Sequence, residues 1–153
     1  MKKFLSVILS IAMIASMAVV SMAVNTEAAL QAALNAGGTV KLTGDVTATN
    51  TITVPAGVTV ELDLNGHTIS MVRESDITKN HEMILNKGDL TIIGEGKISY
   101  QYTGAETYNE STYNGYATNT ITSEPGSTLT IKGGTIENLT TANKISYAID
   151  GMW

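Results

Sequence analysis

A chain of 153 residues with 14 Asp and Glu against nine Lys and Arg has a formal charge of −5 at pH 7. That balance argues against nucleic acid or an anionic membrane surface as partner, since both draw clustered basic side chains. There is no cysteine, which excludes disulfides, thiolate metal sites and lipid-modified cysteine. With 14 Gly, two Pro, one Phe and one Trp among many Thr, Ile, Val and Asn, the composition is that of strands joined by tight turns.

The first predicted element opens with Lys2 and Lys3, continues as an uncharged apolar run from Phe4 to Val24, and contains Ser21-Met22-Ala23 near its end. A basic start, an apolar middle and a small-x-small end predict a secretory signal peptide over residues 1–23, cleaved after Ala23. The run is also long enough to cross a bilayer as an uncleaved anchor, but Ser6, Ser10 and Ser16 dilute it and the cleavage motif closes it. A second candidate site, Thr26-Glu27-Ala28, would remove the start of the following helix. Cleavage leaves about 130 residues, enough for one domain with a continuous core. The expected location is secreted or at the cell surface, with no stable membrane insertion after cleavage.

A helix is predicted within residues 24–38. Thr26 stands as a possible N-cap, Glu27 lies at the positive end of the dipole, Leu30, Ala33 and Leu34 share a face, and Gly37-Gly38 stop it. So short a helix must be packed on something to persist.

From residue 39 one pattern recurs, apolar-x-apolar-x-Gly: Val40-Lys41-Leu42-Thr43-Gly44, Leu62-Asp63-Leu64-Asn65-Gly66, Leu90-Thr91-Ile92-Ile93-Gly94 and Leu129-Thr130-Ile131-Lys132-Gly133. Ile69, Ile98 and Ile136 follow the last three glycines. Short strands with a glycine-bearing turn precede them, at Thr51–Val54, Met83–Leu85 and Thr120–Thr122. A hairpin sandwich gives no reason for the same residue to return at the same point of each unit. A solenoid does, and its insertions leave at corners without disturbing the stack. Val40, Leu62, Leu90 and Leu129 are therefore expected in one internal column, Leu42, Leu64, Ile92 and Ile131 in another, with Gly44, Gly66, Gly94 and Gly133 at one corner.

LDLNGHTI and the downstream TLTIKGGTI resemble the right-handed parallel β-helix of the pectate-lyase-like superfamily, in particular secreted bacterial surface proteins with such repeats. The resemblance covers roughly residues 39–153. It implies an all-β parallel β-helix solenoid of about four coils, with the helix of residues 24–38 as a cap over unpaired strand edges. The final Tyr147–Trp153 stretch resembles the opening strand of a coil that is not completed, so the distal end is expected to continue into further coils or to be capped by a partner.

The resemblance also implies chemistry to look for. Lyases of this superfamily use an arginine base beside calcium-binding acids, for which Arg73 with Glu74 and Asp76 would stand; a solvated loop is the competing reading. The hydrolases use a Gly-His-Gly stretch and a downstream Arg-x-Lys stretch; here Gly66-His67 is followed by Thr68 and no Arg-x-Lys occurs. His67 and His81 lack a second ligand at zinc spacing. Glu61, Asp63 and Asp89 read as a solvated acidic stripe, or a weak calcium site with Asp89 above Glu61. No catalytic residue, metal or cofactor is expected, and enzymatic activity leans towards absent.

Residues 100–116 hold five of the six tyrosines among Asn, Thr, Gln and Gly. Tyrosine offers a stacking face and a hydroxyl, and amides match sugar or peptide polar groups. Tyr100, Tyr102, Tyr108, Asn109, Tyr113, Asn114 and Tyr116 are candidate contacts for a glycan or a host or cell-surface protein; tyrosines lying on the solenoid flank are the competing reading. Two functions stay open: a non-catalytic exported surface module acting in adhesion or carbohydrate binding, and the N-terminal part of a polysaccharide lyase or glycoside hydrolase whose catalytic coils lie beyond residue 153.

Overall fold

The computed structural model describes residues 23–74, 80–104, 117–141 and 146–151, so the expected signal peptide lies outside the described residues up to position 22. One helix, α1 (Glu27–Ala36), precedes twelve strands: β1 (Gly38–Lys41), β2 (Val46–Thr47), β3 (Ile52–Val54), β4 (Thr59–Asp63), β5 (Thr68–Arg73), β6 (His81–Asn86), β7 (Asp89–Ile93), β8 (Lys97–Tyr102), β9 (Thr118–Ser123), β10 (Thr128–Ile131), β11 (Thr135–Asn138) and β12 (Ser146–Gly151). They form three four-stranded sheets, ordered β1-β4-β7-β10, β2-β5-β8-β11 and β3-β6-β9-β12. Every pairing is parallel. Each run of three consecutive strands gives one strand to each sheet, which fits a β-helix solenoid.

Alternation sets what goes inside. In β4, Val60 and Leu62 are buried while Thr59 is exposed and Glu61 half-buried, and β7 and β8 repeat the rhythm. The columns differ from the expected ones by a two-residue shift. Val40 pairs with Leu62, but Leu62 pairs with Ile92 and Val60 with Leu90, so the columns run Val60–Leu90–Leu129 and Val40–Leu62–Ile92–Ile131. A glycine marks the corner after each strand, but β7 and β10 reach it two residues sooner than β1 and β4.

That corner explains the shift. Leu64 is fully buried above it, in a turn where Asn65 and Gly66 both have positive φ, 49° and 82°, and His67 N–H donates to the Leu64 carbonyl at 2.8 Å. Positive φ at both central positions is the type I′ signature that selects Asn-Gly. In the next strands Gly94 and Gly133 stack so closely that a Cβ on Gly133 would lie 2.5 Å from the Gly94 carbonyl oxygen. A side chain as large as Leu64 has room once, not in each layer.

Expected core residues Val40, Leu42, Leu62, Leu64, Leu90 and Ile92 are buried. Leu129 is only partly buried and Ile131 is 40% exposed. Both sit on β10, an edge strand that no other described strand covers. This edge, with Ile149 of β12, borders a groove of about 930 Å³.

At the opposite edge α1 buries Leu30 and Leu34. The Thr26 hydroxyl accepts from Ala29 N–H at 3.2 Å as N-cap. Gln31 then does for β3 what a neighbouring strand would: its Nε2 donates to the Thr53 carbonyl and its Oε1 accepts from Thr53 N–H, both at 2.8 Å. The Glu27 carboxylate accepts from Thr49 N–H at 2.7 Å, the Thr49 hydroxyl at 2.9 Å and Asn50 Nδ2 at 2.8 Å. These bonds, led by that from Thr49 N–H, hold the Glu27 carboxyl below the usual glutamate range.

Gln31→Ala removes both bonds to β3 and is expected to cost about 1–2 kcal/mol in urea denaturation. The depressed Glu27 carboxyl contributes stability that is present above the ordinary glutamate value and lost as pH falls through its folded value. Stability measured from neutral to acid pH should therefore fall less steeply in Glu27→Gln than in the native chain.

Candidate binding corner

The three corners of the stack are not alike. Between the first and second sheets the chain crosses in residues 42–45, 64–67, 94–96 and 132–134; between the third and first it crosses in 55–58, 87–88 and 124–127. Between the second and third sheets the crossings are 48–51, 74–80, 103–117 and 139–145. Every long connection between described strands thus leaves from one corner.

Outward residues flank it. On the second sheet Val72 pairs with Gln101, and Leu139 N–H donates to the Tyr100 carbonyl at 2.8 Å, extending the column. Val72 is 57% and Leu139 46% exposed. On the third sheet Glu82, Asn119 and Tyr147 align, with Asn119 buried and Tyr147 exposed. Asn138 ties the two flanks together, donating from Nδ2 to the carbonyls of Thr118 at 2.8 Å and Tyr147 at 3.1 Å. Asn119 donates to Asp150 at 2.9 Å and Thr122 at 3.1 Å.

Tyr100 and Tyr102 do not belong to this surface, and the expectation that they contact a ligand is corrected. They continue the inward parity of Ile98 in β8 and are fully buried, paired with Met71 and Arg73. The alternation Ile98-x-Tyr100-x-Tyr102 signals this inward parity, and the tyrosine-rich residues that follow it mask the signal. Tyr108, Asn109, Tyr113, Asn114 and Tyr116 lie outside the described residues.

Beneath the corner a polar and aromatic group replaces the aliphatic core. Arg73, at the end of β5 on the inward parity of Ile69 and Met71, places Nη1 2.8 Å from His81 Nε2. A guanidinium only donates, so Nε2 accepts. The His81 ring stacks on Tyr100 with centroids 5.7 Å apart and planes 11° apart, and its Nδ1 is 3.3 Å from the Tyr100 hydroxyl. Burial pushes the Tyr100 phenol up to about 12, with the Arg73 charge pulling the other way.

The other charged candidates are dispersed. Asp89 pairs with Thr59, and Glu61 with Thr91, so Asp89 does not stand above Glu61 as expected. Asp63 is engaged by Lys41 at 3.5 Å and by Asn65 N–H at 2.9 Å. His67 Nδ1 lies 3.5 Å from Asp45. Arg73 is turned to His81, Glu74 is exposed, and Asp76 lies outside the described residues. Among the described residues no three His, Asp or Glu converge as a metal site.

No protein-family model, curated protein or solved structure matches this chain.

The Tyr100 phenol gives a pH test. An acid whose folded pKa is raised contributes stability fully present below its unfolded value, ordinarily about 10, and lost as pH rises towards the folded value. Stability should decline between pH of roughly 10 and 12, and Tyr100→Phe should flatten that decline. Ultraviolet titration of phenolate should show one late-titrating tyrosine fewer in the variant.

Proposed function

We propose that this chain is an exported, non-catalytic surface module of the right-handed parallel β-helix, pectate-lyase-like type, whose corner between the second and third sheets contacts a glycan or a protein on a cell surface. The clustering of the long connections 74–80, 103–117 and 139–145 at that one corner carries this reading. In solenoids, insertions gathered on one side commonly make the binding face, and the stacked sheets hold them at fixed spacing. Exposed Val72, Leu139 and Tyr147 supply apolar and aromatic contact at its rim. The five remaining candidates, Tyr108, Asn109, Tyr113, Asn114 and Tyr116, lie on the longest of these connections.

Immobilised full chain, exposed to xylan, mannan, alginate and mucin, should capture at least one of them. Replacing Tyr108, Tyr113 and Tyr116 together with alanine should weaken that capture at least tenfold, about 1.4 kcal/mol, with the melting temperature unchanged. Equal capture by a variant that melts like the native chain would refute the proposal.

A further inference from the structure

Arg73 is the single arginine of the chain, and its surroundings are unusual for a guanidinium. Lys41, Lys87 and Lys97 each reach a carboxylate, at 3.5, 3.1 and 3.1 Å, and Lys132 is exposed to solvent. Arg73 is partly buried at an inward-facing strand position and makes no ion pair among the described residues. Its one close side-chain partner among the described residues, the His81 ring at 2.8 Å, takes a hydrogen bond from Nη1 and supplies no carboxylate charge. Its Nε–H is buried and has no acceptor.

A cation withdrawn from water needs compensating charge or hydrogen bonds, and a buried donor without an acceptor calls for an explanation. Glu124 and Glu137 pair with Lys87 and Lys97, while Asp63 pairs with Lys41 and Glu27 serves the cap, so the fold spends these acids elsewhere. Tyr102 is paired in register with Arg73, and neither it nor Tyr100 brings a carboxylate to the guanidinium.

We infer that Arg73 forms an oxyanion-binding subsite at the base of the corner. With Nη1 held by His81, the guanidinium edge made by Nε and Nη2 is left to receive two oxygens of one carboxylate, sulfate or phosphate group, the paired geometry for which arginine is suited. His81, itself stacked on Tyr100, fixes the plane of the fork. The anion is either free in solution or carried by a larger ligand lying across the corner. This inference rests on the reading of that corner as the binding face and adds the charge class of what binds there.

Because the chain has one arginine, its Nε–H gives one arginine side-chain signal in a nitrogen–proton correlation spectrum, and no variant need fold for the test. The full chain would be titrated with sodium sulfate, sodium acetate and alginate, each against sodium chloride at matched ionic strength. A saturable shift of the Arg73 Nε–H signal with sulfate or acetate, absent with chloride, is expected for a free oxyanion. A saturable shift with alginate alone would assign the oxyanion to a polymer. No saturable shift with any of the three would overturn the subsite. Saturation by sulfate in a chain that captures no polysaccharide or mucin would retain the subsite and refute the surface-module reading.

Discussion

The parallel ladder governs this molecule, because each strand takes its backbone partners from the strand one triplet away. No strand satisfies itself, and no described strand lies above the first triplet. The cap supplies what is missing with side chains: the Gln31 amide binds both backbone groups of Thr53, the Glu27 carboxylate takes the Thr49 N–H, and the Val24 carbonyl accepts from Thr43 N–H at 3.1 Å. A side-chain amide sets an N–H donor beside a carbonyl acceptor, as a strand residue does, so Gln31 covers an edge that would otherwise recruit another chain. Leu30 and Leu34 cover the apolar cross-section beneath, and this packing rather than propensity holds a ten-residue helix in place.

The same stacking decides where the chain can vary. Between the first and second sheets, backbones touch: Gly133 lies against Gly94, and a Cβ on Gly134 would meet the Leu64 side chain at 2.5 Å. An insertion there would push layers apart and break the ladder on both sides. Between the second and third sheets the strands end on Arg73, Tyr102 and Asn138, and the side chains of Arg73 and Asn138 reach across to the next sheet. His81 meets Arg73, and Asn138 meets the Thr118 and Tyr147 carbonyls. Side-chain bridges close this corner whatever length of backbone leaves it, which is why connections of different length coexist there.

Much of this was legible in the residues. Period-two alternation, the apolar-x-apolar-x-Gly repeat and the Thr26 cap together give parallel strands, stacked leucine and isoleucine columns and a capping helix. Register was not legible between the second and third triplets, because glycine marks a corner without saying how many residues precede it. The column Val60–Leu90 goes with Leu64 filling a space that Gly96 and Gly134 leave to it, which is a property of three layers and not of one strand. The inward turn of Tyr100 and Tyr102 was written in the alternation with Ile98 and obscured by the composition of the following residues. The Arg73–His81 contact joins residues across a corner whose closure no local pattern specifies.

The interior also changes along the axis in a way the alternation alone conceals. In the third sheet, Ile52 and Val54 stand beside Ile84 and Asn86, and those beside Ile121 and Ser123. The aliphatic column thus gives way to amide and hydroxyl. Polar groups inside must be satisfied: Asn86 donates to the Thr128 carbonyl at 3.0 Å, Thr120 to the Glu137 carbonyl at 2.8 Å, and Thr118 lies 3.4 Å from the Thr140 hydroxyl. Such bonds tie one sheet to another more specifically than leucine contacts do, but each contributes only about 1 kcal/mol net, less than a buried aliphatic side chain. In a stack whose stability sums over neighbouring layers, the capped, aliphatic end therefore anchors the molecule. The triplets towards β12 trade cohesion for directed hydrogen bonds, on the same side of the stack as the longest connections.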